Sequence, residues 1–318
     1  MRLHPDDEQL MLRDSIARFA RDGGDLTSGL ADLGLLALVV PEAAGGLGGR
    51  GSDLMVMMEA VGHGLLAAPL MGAIAALDLL ARHGTAAQQA QWVVPAMDGA
   101  RRLCLAQTDG AGLPLVPGAD TADALVLVTG GRAHVLALDG LSRDALPLAD
   151  GTGAARLRLD NARADPLPAT PDQIADSIAR ASVAASAQML GIMERMLADT
   201  LDYVKTRQQF GTVIGSFQTI QHRMARLFVG VNLCRSMVLA AAVAEGGDRP
   251  DWLRKVAAAQ ALVGEQALHL AHECVQFHGG MGITQELAVA RGHKQLMVLA
   301  RLFGSPAQAR QAFDRLAG

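Results

Sequence analysis

Two short stretches carry residues that could do chemistry together. TRQQFGTVIGSFQ at 206–218 holds Arg207, Phe210 and Gln218, and QFHGG at 276–280 holds Gln276, Gly279 and Gly280. An arginine suits a pyrophosphate, an aromatic ring an adenine, glutamine amides the polar edges of a base, and glycine the close approach of a ligand. The chain has only seven Phe, two Trp and one Tyr, yet two Phe lie in this glycine-punctuated turn. Rings in a loop with nothing to pack against are costly, so a flat ligand or another chain is expected to meet them. Taken singly, the first stretch also reads as an interhelical turn with buried rings. The second also reads as a helix C-terminus capped at Gly279. Taken together, the two loops suit a nucleotide.

Three other motifs are weaker. GGLGGRG at 45–51 contains G-x-G-x-x-G, but a dinucleotide site needs a strand directly before it and an acid on a second strand. PEAAG intervenes and no second strand follows, so a flexible turn is the better reading. HLAHEC at 269–274 sets His269 and His272 on neighbouring helix positions without a third ligand, so no metal site is expected. Cys104, Cys234 and Cys274 are far apart and odd in number, with no nucleophile signature nearby, and read as core thiols in a reducing cytoplasm.

The elements that must position these residues follow from composition and period. The 318-residue chain is half hydrophobic, with mean hydropathy +0.23. Its apolar share comes from Ala, Leu, Val and Met, which favours helices packed on helices. A net charge of -4 gives no footprint for nucleic acid. The N-terminal MRLHPDDEQLMLRD is charged, and no uninterrupted apolar run reaches membrane-spanning length, so a cytoplasmic protein without a membrane partner is expected. Residues 1–98 read as a helical domain, with helices over 27–37, 52–67, 69–82 and 85–97 after a first one opened by Asp6, Asp7 and Glu8. Residues 99–170 read as a short β domain, with a hairpin turning at Gly130-Gly131 and a strand over 155–159. Residues 171–318 read as a four-helix bundle, with later helices near 217–245, 252–276 and 285–302. The fold class is mostly α.

In this order the motifs resemble the acyl-CoA dehydrogenase family over nearly the whole chain. The resemblance rests on LADLGLLALVVPEAAGGLGGRGSDLMVMMEAVG at 30–62, VVPAMDGARRLCLAQTD at 93–109 and DYVKTRQQFGTVIGSFQTIQHRMA at 202–225. QFHGGMGITQE at 276–286 and the Phe303-Gly304-Ser305 region complete it. The wording is closest to small subunits of pimeloyl-CoA and steroid side-chain dehydrogenases. The resemblance implies a helical N-terminal domain, a β middle domain and a C-terminal four-helix bundle, assembled as tetramers. It implies FAD and α,β-desaturation of an acyl-CoA, in which a carboxylate removes the α-proton and the β-hydrogen leaves as hydride. It implies that Arg207, Phe210, Gln218, Gln276, Gly279 and Gly280 reach across a subunit interface to the ADP end of FAD held mainly by a neighbour.

The sequence departs from the family at the base. The usual Glu position is Phe303, and the alternative position, on the first bundle helix, is Ala181. Related small subunits carry Glu near Gln188, which is also neutral. Asp176 and Glu194 remain on that helix and read as solvated charges. QTDGAG stands where the family has Thr-Glu-Pro, and the segment that lines the flavin ring is missing. No catalytic residue is therefore assigned. Losing a general base costs about 10²–10⁴ in rate. The expected protein is a subunit of an α2β2 heterotetramer, in which a full-length paralogue holds flavin, acyl-CoA and the Glu. The alternatives are a self-sufficient dehydrogenase with a relocated base, and a flavin-free structural paralogue.

Overall fold

The computed structural model describes residues 5–23, 26–108, 113–160, 162–284 and 286–317. Five helices open the chain: α1 (Asp7–Asp22), α2 (Leu26–Asp32), α3 (Leu35–Val39), α4 (Gly51–His63) and α5 (Leu70–His83). A helical stretch follows, in which α6 (Ala86–Gln88) and α7 (Val94–Met97) flank a π-helical turn over Gln89–Val93. Seven strands come next: β1 (Leu103–Thr108), β2 (Val116–Pro117), β3 (Ala124–Thr129), β4 (Arg132–Ala137), β5 (Arg143–Pro147), β6 (Gly153–Leu157) and β7 (Ala164–Leu167). The long α8 (Pro171–Thr206) leads to a hairpin, β8 (Gln208–Gln209) and β9 (Thr212–Val213). The chain ends in α9 (Gln218–Val243), α10 (Arg249–His278), α11 (Ala288–Leu299) and α12 (Pro306–Ala317). The protein is mostly α with a short β middle, as its composition predicts. Gly34, at φ 72°, divides the single helix expected over 27–37 into α2 and α3.

The chain divides into two compact units. One comprises residues 22–54 and 67–182. Its four-stranded sheet runs β1-β3-β4-β7, with β1 and β3 parallel and the other pairs antiparallel. A second sheet runs β2-β6-β5. Gly130 and Gly131 both take positive φ, at 55° and 73°, which matches the right-handed twist of the β3–β4 hairpin. The strand expected at 155–159 lies two residues earlier. Cys104, Leu125, Leu136 and Leu138 fill the core between the sheets. Thr85 and Gln88 form a reciprocal cap at the start of α6, and the Gln88 amide also donates to Asp165 and to the Pro166 carbonyl at 2.8 and 3.0 Å. That one side chain ties a helix start to the edge strand β7. The GGLGGRG loop is a turn closed on its own chain. A Cβ at Gly46 would stand 2.2 Å from the Val40 carbonyl oxygen, and one at Gly49 would stand 2.5 Å from the Leu38 side chain. The element before it, α3, is a helix rather than the strand a dinucleotide site requires.

The other unit comprises residues 1–21, 55–66 and 183–318. Here α9, α10, α11 and the later turns of α8 make the bundle, with α12 as an additional helix along α10. Gly264 admits Pro306 at that contact: a Cβ there would lie 2.7 Å from the proline ring. Asp248 caps α10 by accepting from the Asp251 amide at 3.0 Å. By length and composition, α9 is apolar enough to cross a membrane. Within this unit it is a bundle helix that buries Met224, Leu227, Val231, Cys234 and Val238.

Candidate nucleotide-facing site

The β8–β9 hairpin presents Phe210. Gln208 pairs with Val213 and Gln209 with Thr212, which leaves Phe210-Gly211 as the two-residue tip. Both tip residues have positive φ, 54° and 77°. A left-handed conformation disfavours a bulky side chain, so this phenylalanine is held at a strained position. Its ring is 92% exposed. Its one ring contact among the described residues is an edge-on approach to Phe217, with centroids 6.3 Å apart. The two loop rings therefore meet each other as well as solvent.

Arg207 enters the hairpin with its backbone fixed. Its amide donates to the Tyr203 carbonyl and its carbonyl accepts from Ile214, both at 2.9 Å. Its guanidinium is exposed and has no ion-pair partner among the described residues. Gln218 is the first residue of α9 and is also exposed.

Two contacts bring QFHGG to the same end of the bundle. Tyr203 stacks on His278 with ring centroids 4.2 Å apart, joining the end of α8 to the end of α10. The Nδ1 of His278 lies 2.8 Å from the Cys274 carbonyl, which places its proton on that nitrogen. Arg223, in the second turn of α9, holds Glu273 with two bonds of 2.6 and 2.8 Å and lies 4.6 Å over the Phe277 ring. The Arg223 hydrogen bonds hold the Glu273 carboxyl below the usual carboxylate range. Gln276 points outward beside this clamp. Gly279 caps α10 at φ 59°, ψ -141°, a backbone region that glycine alone adopts readily. A Cβ at Gly279 or Gly280 would meet nothing within 4 Å, so space is open above both. One end of the bundle thus carries a cation with no ion-pair partner among the described residues, an exposed ring, two exposed amides and two bare glycines. That donor set fits the ADP portion of a dinucleotide.

The remaining sequence candidates lie elsewhere in the fold. Phe303 is half-buried, and its carbonyl accepts from the Gln260 amide at 3.0 Å. Ala181 is fully buried. Gln188 is buried in a neutral role, with its amide 3.4 Å from the Leu66 carbonyl. Glu194 is not the solvated charge expected from sequence. Arg235 grips it together with Glu59, the latter at 3.1 and 3.2 Å. Burial raises the pKa of Glu59 and Arg235 opposes that rise. Within the other unit, sequence reasoning passed over Asp78. Its fully buried carboxylate accepts from Ser177 and Arg180 at 2.6 Å and from Arg82 at 2.7 Å. A lone Asp in the apolar run LMGAIAALDLLARH was the available signal. QTDGAG falls partly on residues 109–112, outside the described residues. His272 and His293 approach to 5.4 Å, but no group of three metal-ligating side chains occurs among the described residues. All three cysteines are buried, and burial pushes each thiol up to about 12, as inert core thiols require.

Comparison with known proteins shows the family of the chain. Residues 21–100 match the acyl-CoA dehydrogenase N-terminal domain, and residues 173–313 match the acyl-CoA dehydrogenase C-terminal domain. The chain is 32% identical over 277 residues to the acyl-CoA dehydrogenase IpdE2 of Mycobacterium tuberculosis, covering 86% of this chain and 80% of that protein. The chain belongs to the acyl-CoA dehydrogenase family. A second family member, FadE27 of the same organism, is 30% identical over 297 residues, covering 82% and 79%. Among solved acyl-CoA dehydrogenase structures, a variant of the Tcur3481-Tcur3483 steroid ACAD superposes with a TM-score of 0.86 at 25% identity over 98% of each chain. The ChsE4-ChsE5 complex from Mycobacterium tuberculosis superposes at 0.82 and 24% identity, covering 99% and 98%, which is a likeness of fold.

Proposed function

We propose that this chain is a family subunit supporting FAD-dependent α,β-desaturation of an acyl-CoA, and that it works in a heteromer. On this reading a full-length paralogue holds most of the FAD and the acyl-CoA. The present chain supplies Arg207 to the pyrophosphate, Phe210 to the adenine, and Gln218 and Gln276 to polar edges, with Gly279 and Gly280 giving clearance. The carrying observation is the state of that bundle end: the Phe210 ring is 92% exposed, and the exposed Arg207 has no ion-pair partner among the described residues. Bound FAD would supply the hydride acceptor, while this chain's groups bind and orient its distal end. The chain brings no base of its own at Phe303 or Ala181. The Asp78 and Glu194 carboxylates are each already engaged by arginines. The division into 1–98, 99–170 and 171–318, the α2β2 stoichiometry and the cytoplasmic location belong to the same proposal. The proposed substrate is a bulky acyl-CoA, such as a steroid side chain or a dicarboxylic acyl group. Likeness to a steroid ACAD supports the first of these.

The test is the visible absorbance of the purified chain, alone and co-expressed with a full-length paralogue. The expected result is a colourless chain alone and a yellow complex with one FAD per heterodimer. A yellow homomer whose flavin bleaches with acyl-CoA would overturn the reading in favour of a relocated base. A complex that stays colourless would point to a flavin-free structural role.

A further inference from the structure

A cavity lies within the unit formed by residues 22–54 and 67–182, and nothing in the proposed function uses it. It encloses about 120 Å³. Its walls are apolar: Leu26, Leu30 and Leu36 on one side, Ala73 and Leu77 of α5 on another, and Leu103 at the start of β1. An apolar cavity of about 150 Å³ stays dry and takes up benzene, so this space suits a small hydrocarbon body rather than a water cluster.

Two cationic residues, Arg101 and Arg102, are also among the lining residues, and both are exposed. The charge of Arg101 is spent, since its guanidinium pairs with Asp123 at 3.2 Å and lies 5.9 Å over the Trp92 ring. Arg102 differs. Its backbone is pinned on both sides, its amide donating to the Asp123 carboxylate at 2.7 Å and its carbonyl accepting from the Asp123 amide at 2.8 Å. Its exposed guanidinium has no partner among the described residues. Among the described residues, Arg102 therefore brings one uncompensated positive charge, on a fixed stretch of backbone, to the lining of a largely apolar cavity.

We propose that this cavity is a binding site for a short aliphatic carboxylate of about six carbons, with its chain in the cavity and its carboxylate on Arg102. Charge and shape act together here. The tail leaves water for the leucine walls, and the guanidinium meets the planar carboxylate with two parallel bonds. A neutral ligand of the same length loses the second contribution.

Calorimetric titration of hexanoate into the full-length chain tests this, with hexanol as the uncharged control. Saturable one-to-one binding of hexanoate is expected, about fivefold tighter than hexanol, the upper end for an ion pair at an exposed guanidinium. Arg102→Gln should erase that difference, and because the side chain is exposed this variant should fold. Ala73→Leu should fill the cavity and abolish binding of both probes. No saturable binding to the wild type would overturn the proposal. So would equal affinity for hexanol and hexanoate, or hexanoate affinity unchanged in Arg102→Gln. None of these readouts involves flavin or a paralogue, so failure here is distinguishable from failure of the subunit reading.

Discussion

Single side chains at the hairpin end test the reading most directly. Arg207 and Phe210 contribute almost nothing to the chain's own packing, being exposed and, for Arg207, unpaired among the described residues. Arg207→Gln and Phe210→Ser should therefore leave the melting temperature of the chain unchanged. In the complex, each should weaken FAD retention by about tenfold, the scale of one lost charge-assisted bond or one lost stacking contact. FAD release, followed by flavin fluorescence during dilution, measures this. Glu273 should behave oppositely. Its pKa is lowered mainly by the Arg223 hydrogen bonds, so the stability it contributes is complete above the unfolded value of 4.5. That stability is lost as pH falls through the lower folded value. Urea midpoints taken from pH 6 downward should show Glu273→Gln less stable than wild type by about 1 kcal/mol, with the gap closing in acid. A constant gap would mean that the side chain packs but its charge does not matter.

At the scale of elements, glycine decides how closely helices pass. A Cβ at Gly62 in α4 would stand 2.0 Å from the Gln188 carbonyl oxygen of α8, and one at Gly191 would stand 2.0 Å from that of Glu59. Helix propensity alone favours alanine by about 1 kcal/mol. Here the obstacle is backbone on both sides, so overpacking of about 1–3 kcal/mol should win. Both Gly62→Ala and Gly191→Ala should lower the denaturation midpoint, and a rise in either would refute the close crossing. The other unit depends on Asp78 in the same way. Asp78→Ala leaves Arg82 and Arg180 facing one another without their shared anion, at a cost of about 3 kcal/mol. Replacing Asp78 by Ala together with Arg180 by Leu should recover part of that loss. The helices themselves were legible from apolar period and from Pro and Gly punctuation. The shift of the strand expected at 155–159 and the short strands β2 and β7 were not, because two to five residues carry too little periodic signal. The terminal α12 was likewise unforeseen, since what makes it an element is its packing along α10 through the Gly264–Pro306 contact.

For the whole molecule, the bundle helix α9 leaves Phe228, Val229 and Leu233 exposed on one face, at 61%, 56% and 54%. Apolar residues grouped in this way on a protein surface mark an interface, which agrees with the proposed heteromer. Phe228→Glu with Leu233→Glu should abolish co-purification with the paralogue while leaving the thermal melt of the chain itself intact. Retained co-purification would place the interface elsewhere. The sequence by itself determined the family, the mostly helical architecture and the neutral residues at Phe303 and Ala181. These depend on residue identity, local period and motif order, all of which are read along the chain. Motif and resemblance together directed TRQQFGTVIGSFQ and QFHGG to one ligand end, but not the contacts that hold them there, Tyr203 stacking on His278 and Arg223 reaching Glu273 across long separations. Nor did the sequence determine that Glu194 and Asp78 are already held by arginines, or that the exposed Arg102 lines a largely apolar cavity. A charge on a helix reads the same whether solvent or a guanidinium faces it, and only the packing of distant segments decides which.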